Sequence, residues 1–298
     1  MSDTLVIIIT YNAIKWAEKC FSSLYNSTVP LDIYVIDNGS TDGTQEYIIN
    51  QYPNILFHQS PTNLGFGRAN NIGIKYAIEN NYEYIYLLNQ DAWVLPDTLE
   101  KLINTQKRHP EYGILSPFQA QSNMKSLDKN FVSWVCSYNY NNQLFNDLYW
   151  ENTQDIYSVP MVMAAHWLIS RKCFLKVGGF SPTFTHYGED NNYANRTSYH
   201  GFKIGIVPSA VAVHDRENRK EGIDKKIYMS YIQVLIYISN INECKPNLFI
   251  RTIKSTIKST ISYKSFKPIK LWSSIIKHWF IYKKNTLESK AEGAFLNL

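Results

Sequence analysis

Three polar side chains able to bind a ligand stand where short apolar runs of the sequence end. They are Asp37, Asp91 and His214. Short, β-branched apolar runs are typical of buried strands, and the carboxyl ends of such strands share one edge of an open sheet, where ligands bind. A carboxylate at this edge can accept hydrogen bonds from a base imide or a ribose hydroxyl, as we expect for Asp37. The spacing therefore predicts a ligand site along one sheet edge.

Two of these side chains also suit a metal ion. Asp91 supplies oxygen ligands for a hard divalent cation that bridges two phosphates, and the imidazole of His214 can add a second ligand to Mn²⁺ or a similar ion. Each residue also has a purely structural interpretation. Asp37 can cap a turn, Asp91 can precede a helix, and a single histidine at a strand end is often structural. The residues alone leave these alternatives open.

Glu189 and Asp190 form an acidic pair after Gly188, at the predicted start of a helix. A carboxylate there can face a cleft and take the proton of an attacking hydroxyl, as general-base catalysis requires. Helix capping by both acids is the alternative, because the positive end of the helix dipole favours negative charge at the first turn. Spacing alone does not decide between these two roles.

The elements that must position these residues alternate between strands and helices. The apolar run Leu5–Thr10, the amphipathic segment Ala13–Tyr25 and the run Asp32–Asp37 predict a βαβ unit with a right-handed crossover. Two further strands are predicted at Ile55–Gln59 and Tyr84–Leu88, with helices between them. Four strands alternating with helices indicate one open α/β sheet.

The second half of the chain has a weaker pattern. Residues 122–155 are rich in Asn, Tyr and Trp, and we expect a long excursion or hairpin over the acceptor side of a cleft. Two strands are predicted at Lys203–Val207 and Ala210–His214. An apolar helix is predicted at Lys225–Asn240, followed by basic amphipathic helices.

Taken together, the motifs resemble the family 2 glycosyltransferases, most closely their rhamnosyltransferase-like branch. The resemblance rests on Ile9-Thr10-Tyr11-Asn12, Val35-Ile36-Asp37-Asn38-Gly39-Ser40-Thr41-Asp42-Gly43-Thr44, Asn63-Leu64-Gly65-Phe66-Gly67-Arg68-Ala69-Asn70-Asn71-Ile72-Gly73, Gly178-Gly179-Phe180, Glu189-Asp190 and His214. These motifs follow the family's order from about residue 4 to 215. The resemblance implies a GT-A fold, that is, a single Rossmann-like open sheet, mixed or mostly parallel and flanked by helices.

It also implies a division of the chain and a set of residue roles. We expect a GT-A domain at 1–220, with a nucleotide-binding half (1–121) and an acceptor-binding half (122–220), and a helical basic region at 221–298. The implied roles are as follows: Thr10, Tyr11 and Asn12 line the nucleotide pocket, Asp37 contacts base or ribose, Asn63, Gly65 and Arg68 border the diphosphate and sugar, Asp91 and His214 bind the metal, and Asp190 is the catalytic base. Asn89 is also one of the implied donor-binding residues. It takes the place of the first acid of the family's Asp-X-Asp metal motif, and its neutral amide weakens the expected affinity for metal.

The function implied is inverting transfer of a sugar from a UDP- or dTDP-linked donor, with Mn²⁺ or Mg²⁺ as cofactor. The acceptor is expected to be a glycan or a lipid-linked saccharide in the assembly of a bacterial surface polysaccharide. A catalytically silent nucleotide-sugar-binding scaffold is the alternative, and Asn89 favours it. A nucleotidyltransferase is disfavoured, because a glycine-rich basic phosphate loop does not follow the first strand.

Composition bounds the remaining possibilities. The chain has 298 residues, of which 45% are hydrophobic and 18% charged, as expected for a folded protein with one large domain and an appendage. Four scattered cysteines without framework spacing favour a reducing compartment. An apolar strand begins directly after Thr4, and no apolar run reaches 18 residues, so we expect a cytoplasmic protein without a leader or a membrane span.

Charge is distributed unevenly along the chain. Residues 245–290 contain eleven Lys or Arg and one acid, Glu288, whereas the rest of the chain has a net charge of about −5. Basic residues interleaved with Ile, Phe, Leu and Trp are typical of helices that lie in an anionic membrane interface. We therefore expect a peripheral membrane contact through 245–290 and no binding of nucleic acid. A solvated helical face packed on the main domain is the alternative.

Overall fold

The computed structural model describes residues 2–137, 142–216, 222–243 and 248–296, within which nine strands form one mixed sheet flanked by helices. The strands are β1 (Thr4–Thr10), β2 (Asp32–Asp37), β3 (Leu56–Gln59), β4 (Tyr84–Asn89), β5 (Ala92–Val94), β6 (Tyr112–Ala120), β7 (Tyr157–Val159), β8 (His166–Ser170) and β9 (Lys203–His214). The helices are α1 (Ile14–Tyr25), α2 (Thr44–Gln51), α3 (Phe66–Glu79), α4 (Thr98–Arg108), α5 (Lys129–Ser137), α6 (Asn142–Tyr149), α7 (Arg171–Val177), α8 (Glu189–Tyr199), α9 (Ile223–Ser239), α10 (Leu248–Tyr263), α11 (Lys267–Lys277) and α12 (Trp279–Glu288).

The first half of the sheet is parallel, in the order β3-β2-β1-β4. Strand β1 is buried on both faces because helices cover both sides of the sheet, which explains its continuous apolar run. The register pairs Thr10 with Asp37 and Ile9 with Asn89. The polar residues that end these three strands therefore lie side by side at one edge, as the sequence predicts.

The second half of the sheet is mixed. Strand β8 runs antiparallel to both β4 and β6, while β6 and β9 are parallel. The short strand β5 runs antiparallel to β9, and their register pairs Ala92 with His214. Asp91, which precedes Ala92, is thereby brought next to His214. The predicted α/β class with a mixed open sheet is confirmed.

One sequence prediction for this half was wrong. The strands predicted at 203–207 and 210–214 are one strand, β9, in which a bulge after Val207 absorbs Pro208 without ending the pairing with β6. The excursion predicted at 122–155 starts with an antiparallel bridge between Ala120 and Leu127 and continues into the helices α5 and α6. Residues 138–141 lie outside the described chain. Asp128 caps the first of these helices by accepting a hydrogen bond from the backbone N–H of Phe131 (2.7 Å).

The C-terminal part is helical, as the sequence predicts. Helix α9 packs against α11 and α12 around Ile232, Leu235, Ile275 and Tyr282, and Phe184 of the preceding part of the chain joins this cluster. Among the described residues, none of the helices is long and apolar enough to cross a membrane. The predicted boundaries at 121 and 220 stay predictions, since residues 217–221 lie outside the described residues.

The last described turn folds back onto the sheet domain. The carbonyl of Ala294 accepts a hydrogen bond from the backbone N–H of Gly179 (2.8 Å), and the carbonyl of Phe295 accepts one from Asn71 Nδ2 (3.3 Å). A Cβ atom at Gly178 would lie 2.1 Å from the Ala294 carbonyl oxygen, so this close approach requires glycine. Cys20, Cys136 and Cys173 are free thiols, and Cys244 lies outside the described residues.

Candidate functional site

The predicted site residues lie in two adjacent groups along the carboxyl edge of the sheet. One group surrounds the loops that follow β1 and β2. The other lines a cleft of about 730 Å³ beyond β4 and β9. Because β1 lies between β2 and β4, the two groups are neighbours and can serve one extended ligand.

Asp37 is the centre of the first group. Its side chain is fully buried, and its two oxygens accept five hydrogen bonds from the protein. The donors are the Thr10 hydroxyl (2.7 Å), the backbone N–H groups of Gly39 (3.0 Å) and Ser40 (2.8 Å), the Ser40 hydroxyl (2.6 Å) and Gln45 Nε2 (2.9 Å). In this arrangement Asp37 shapes the loop after β2 from within. The predicted contact with a base or ribose would require some of these bonds to be exchanged.

Tyr11 and Asn12 form the open side of the same group. Asn12 has a left-handed backbone (φ 51°), and its Oδ1 accepts a hydrogen bond from the backbone N–H of Thr41 (2.8 Å). The Tyr11 side chain is 48% exposed. Gln90, which sequence reasoning missed although it stands inside the Asn-Gln-Asp motif, bonds both the N–H (2.7 Å) and the carbonyl (3.2 Å) of Tyr11. This amide ties the loop after β1 to the Asn-Gln-Asp segment.

Asn63, Gly65 and Arg68 lie between the two groups. Asn63 Oδ1 accepts a hydrogen bond from the backbone N–H of Gly65 (2.8 Å) and so closes the turn before α3. Gly65 has φ +78°, and a Cβ there would lie 2.5 Å from the carbonyl oxygen of Thr185, so glycine allows the two loops to touch. Arg68 is exposed on the first turn of α3 and does not line the cleft. The predicted contact of Arg68 with the diphosphate and sugar therefore stays a prediction.

The cleft brings together the residues predicted for metal binding and catalysis. Asn89, Asp91, Asp190 and His214 all line it. Its wall also includes charged residues that sequence reasoning missed or left without a role, namely Asp128, Lys129, Glu189, Asp215, Arg216 and Lys225. Asp128 and Arg216 form an ion pair (Oδ2 to Nε, 3.1 Å) with the Asp128 side chain almost fully buried.

Asp91 and His214 form the predicted metal-binding pair. Nε2 of His214 lies 3.4 Å from Oδ1 of Asp91, and both side chains are largely buried. Nδ1 of His214 is buried without a hydrogen-bond partner in the described chain. The described residues contain no group of three His, Cys, Asp or Glu that could hold a metal ion. An oxygen and a nitrogen donor this close fit a divalent ion such as Mn²⁺, provided that ligand oxygens complete its coordination.

A second histidine, His166, which sequence reasoning missed, contacts the backbone next to this pair. Nε2 of His166 lies 3.0 Å from the carbonyl oxygen of Val213, and Nδ1 lies 2.8 Å from the Tyr86 hydroxyl. Because a carbonyl can only accept, Nε2 carries the proton and Nδ1 accepts from Tyr86. Burial, followed by the proximity of His214, lowers the pKa of His166 to about 3. His166 is therefore neutral and holds the end of β9 in place.

Glu189 and Asp190 stand on the first turn of α8, after Gly188 in a left-handed conformation. Oδ1 of Asp190 accepts hydrogen bonds from the backbone N–H (2.8 Å) and side-chain amide (3.2 Å) of Asn191. Burial raises the pKa of Asp190, and these hydrogen bonds oppose the rise. Oε2 of Glu189 is buried without a hydrogen-bond partner in the described chain. Burial, followed by the charge of Asp190, raises the pKa of Glu189 to about 8. The wall thus carries two carboxyl groups whose burial favours the protonated form.

Known proteins match this chain in sequence. The family model described as glycosyl transferase family 2 matches residues 5–176. The chain is 26% identical over 237 residues to the N-acetylglucosaminyl-diphospho-decaprenol L-rhamnosyltransferase of Mycobacterium tuberculosis, covering 72% of this chain and 77% of that protein.

Solved structures show the same fold at low identity. The mannosyltransferase PcManGT of Pyrobaculum calidifontis, in complex with GDP-Man and Mn²⁺, matches with a TM-score of 0.59 and 18% identity, covering 97% of this chain and 84% of that one. S. aureus TarS 1–349, in complex with UDP-GlcNAc, matches with a TM-score of 0.55 and 14% identity, covering 97% and 81%. The match to the longer TarS chain covers 42% of it.

The hydrogen bonds of Asp37 predict a large effect of Asp37→Asn on stability. An amide is neutral and accepts only at its oxygen, so all five donors lose a charged acceptor, and the donors that face the amide nitrogen lose their acceptor altogether. We expect the free energy of unfolding, measured by urea denaturation, to fall by about 2–3 kcal/mol. The exposed Glu46→Gln is the matched control. A loss no larger than that of the control would contradict the central role of Asp37.

The buried carboxyl of Glu189 predicts a dependence of stability on pH. Its pKa is raised in the folded protein above the ordinary value of 4.5, so the folded state binds more protons than the unfolded state as the pH rises beyond 4.5. The free energy of unfolding therefore falls with rising pH in this range. We expect Glu189→Gln to reduce this fall by more than about 1 kcal/mol, measured by urea denaturation between pH 4.5 and 8. Parallel curves for the wild type, Glu189→Gln and the exposed control Glu79→Gln would disprove the assignment.

Proposed function

The chain belongs to glycosyl transferase family 2, and from that premise we propose that it transfers a sugar from a nucleotide-diphosphate donor to an acceptor hydroxyl with inversion at the anomeric carbon. One observation carries this proposal. One cleft is lined by Asp190, Asp91 and His214, and it lies beside the loops that follow β1 and β2. A general base for the acceptor hydroxyl and residues that can bind a diphosphate therefore face the same cleft.

On the donor side, we assign the nucleoside to the loops around Thr10, Tyr11, Asn12 and Asp37. The exposed ring of Tyr11 offers a surface for the base, while Asp37 maintains the loop. The donor is a UDP- or dTDP-sugar in this proposal. Solved complexes of this fold include one with a pyrimidine donor, S. aureus TarS with UDP-GlcNAc, and one with a purine donor, the P. calidifontis mannosyltransferase with GDP-Man, so the fold itself does not select the base.

The diphosphate belongs beside Asn89, Asp91 and His214, next to the turn formed by Asn63 and Gly65. Arg68 is proposed to reach this border from the first turn of α3. A divalent cation bound by Asp91 and His214 would offset the negative charge that develops on the leaving diphosphate. The Mn²⁺ in the complex of the P. calidifontis mannosyltransferase supports this cofactor.

In the reaction, the carboxylate of Asp190 takes the proton of the acceptor hydroxyl. The hydroxyl oxygen forms a bond to the anomeric carbon while the bond from that carbon to the diphosphate oxygen breaks, and the electron pair leaves with the nucleoside diphosphate. A single displacement of this kind inverts the anomeric centre. The raised pKa of Asp190 brings its basicity nearer to the working pH, which favours proton transfer.

The scaffold alternative is not favoured. A silent binder would not need a carboxylate that faces the donor ligands across a cleft, and the neutral Asn89 leaves Asp91 and His214 in place. Two of the relatives are named as transferases, the L-rhamnosyltransferase of M. tuberculosis and the hexosyltransferase Agl10 of Haloferax volcanii.

For the acceptor, we propose a lipid-linked saccharide, used at the inner face of a cell membrane in polysaccharide assembly. The M. tuberculosis relative is named for an acceptor linked to decaprenol through a diphosphate. Helices α10–α12 support a membrane contact through an amphipathic surface, defined here by exposed apolar residues and lysines. Its members are Ile257, Ile261, Phe266, Ile269, Ile276, Phe280, Ile281, Lys254, Lys258, Lys264, Lys270 and Lys277. Lys245 and the Arg251 side chain, part of the predicted basic region, lie outside the described residues.

The role of Asp190 predicts a specific kinetic defect. We expect Asp190→Asn to lower kcat by about 10²–10⁴-fold, the usual contribution of a general base, without weakening nucleotide binding. Turnover is measured with an acceptor and each candidate donor. Nucleotide affinity is measured by calorimetry with UDP and dTDP, with and without Mn²⁺, and we expect one nucleotide to bind in a metal-dependent manner.

Two outcomes would contradict the proposal. Nearly full activity of Asp190→Asn would remove this residue from the role of base. If neither UDP nor dTDP binds the wild type, the donor site itself is contradicted.

The amphipathic surface predicts binding to anionic vesicles. We expect co-sedimentation with phosphatidylglycerol-containing vesicles that weakens as salt rises, because lysines meet the headgroups. Phe280 is 85% exposed, and Phe280→Ser should weaken partitioning by about tenfold, the cost of losing one buried aromatic side chain. Ile49→Ser, at an exposed residue of α2, is the control. Binding that is absent, indifferent to salt or equally changed in both variants would contradict the proposal.

A further inference from the structure

The cleft extends from the catalytic wall onto helix α9, where its chemistry changes. Five residues of α9 line it, namely Lys225, Met229, Ile232, Gln233 and Ile236. Their spacing of three and four residues places them on one face of the helix. On the donor side the lining residues Asn89, Asp91 and His214 are polar. On the α9 side three of the five are large and apolar.

The apolar residues of this face remain partly open to the cleft. Met229 and Ile236 are partly exposed, whereas Ile232 between them is buried. Trp134, which also lines the cleft, is partly exposed as well. Apolar side chains that line a cleft gain most from a ligand that removes them from water, and a hydrocarbon chain does so without leaving hydroxyl groups unpaired.

Lys225 places a cation at one end of this apolar row. It is the third residue of α9, so its ammonium lies near the positive end of a 17-residue helix. The ammonium lies 5.7 Å from the centroid of the Tyr187 ring, and both residues line the cleft. A cation near a helix N-terminus favours an anionic group such as a phosphate. A phosphate followed by a hydrocarbon chain therefore matches the order of residues along α9.

The other side of α9 connects this row to the amphipathic surface. Tyr231 and Val234 face Trp272 and Ile275 of α11, and α11 carries Ile269, Ile276 and Lys270 of that surface. Cleft and proposed membrane contact are thus on adjoining helices. A ligand anchored in the membrane can reach the cleft along α9 with little exposed hydrocarbon.

We propose that the α9 face is the binding site for the lipid phosphate of the acceptor. Lys225 binds the phosphate or diphosphate that joins the acceptor sugar to its lipid. Met229 and Ile236 contact the first carbons of an isoprenoid chain, which leaves the sugar on the side of Asp190. This inference rests on the proposed function, including its lipid-linked acceptor, and adds which residues bind the phosphate and the hydrocarbon chain of that acceptor.

Binding of farnesyl diphosphate tests the site without turnover. The protein is first saturated with Mn²⁺ and with UDP or dTDP, so that the donor diphosphate site is filled, and farnesyl diphosphate is titrated below its micellar concentration. We expect Lys225→Ala to weaken binding about tenfold, since it removes a charged contact, and Met229→Gln to weaken it severalfold. The matched controls on the same helix are the exposed Lys226→Ala and Ile223→Gln, which should bind like the wild type. Phe280→Ser should also be unchanged, which separates the cleft from the amphipathic surface.

Three results would overturn the inference. They are absence of binding, equal binding by cleft variants and controls, and equal affinity for inorganic pyrophosphate, which would show an anion site without a lipid site. Failure of the proposed function is distinguishable. Binding with the expected variant pattern but without any sugar transfer would oppose the transferase mechanism, whereas transfer to a lipid-free sugar without farnesyl diphosphate binding would oppose only the lipid site.

Discussion

The arrangement of the site depends on one buried cation, Arg196 of α8. Its guanidinium is completely buried and donates hydrogen bonds to the carbonyl oxygens of Val177 and Gly179, while its flat face lies 4.8 Å from the ring centroid of Phe295. A buried charge is tolerated only when it is well bonded, so these contacts must form together. They join the end of α7, the helix whose first turn carries Asp190, and the last described turn of the chain. The position of the cleft wall that carries Asp190 is therefore determined by contacts about two helical turns away.

The sheet edge supplies the second constraint. Parallel pairing of β2, β1 and β4 aligns Asp37, Thr10 and Asn89, and antiparallel pairing of β5 with β9 brings His214 to Asp91 from a distant part of the sequence. Gln90 then joins the two halves through the backbone of Tyr11. These side chains stand at the ends of strands whose register is determined by buried apolar faces, so burial of the core determines the spacing of the candidate site.

Much of this arrangement could be predicted from the sequence because strand-end residues are conspicuous. The continuous apolar run of β1 and the turn after β2 predicted a parallel sheet and its ligand edge, and the family resemblance was confirmed. The inward direction of Asp37 could not be predicted, because it depends on donors that only the folded loop assembles. His166 and the ion pair between Asp128 and Arg216 were missed for the same reason: their partners lie far away in sequence. The single strand β9 was predicted as two strands, because a proline such as Pro208 normally ends the pairing of a strand.

The charges of the cleft explain how a neutral Asn89 is compatible with the site. A donor diphosphate is strongly anionic, and the described wall contains five acids, Asp91, Asp128, Glu189, Asp190 and Asp215. Arg216 neutralises Asp128, and burial favours the protonated form of Glu189. The positive charges of Lys129 and Lys225, which also line the cleft, offset part of the negative charge of the remaining three acids. A further carboxylate at Asn89 would add repulsion towards the diphosphate in a cleft where charges are poorly screened. The amide at this position keeps a polar ligand atom while bringing the wall closer to charge balance. Asn89 and the protonated Glu189 both lower the negative charge of this wall. Both therefore favour the binding of an anionic donor and reduce the positive charge that a bound cation must supply.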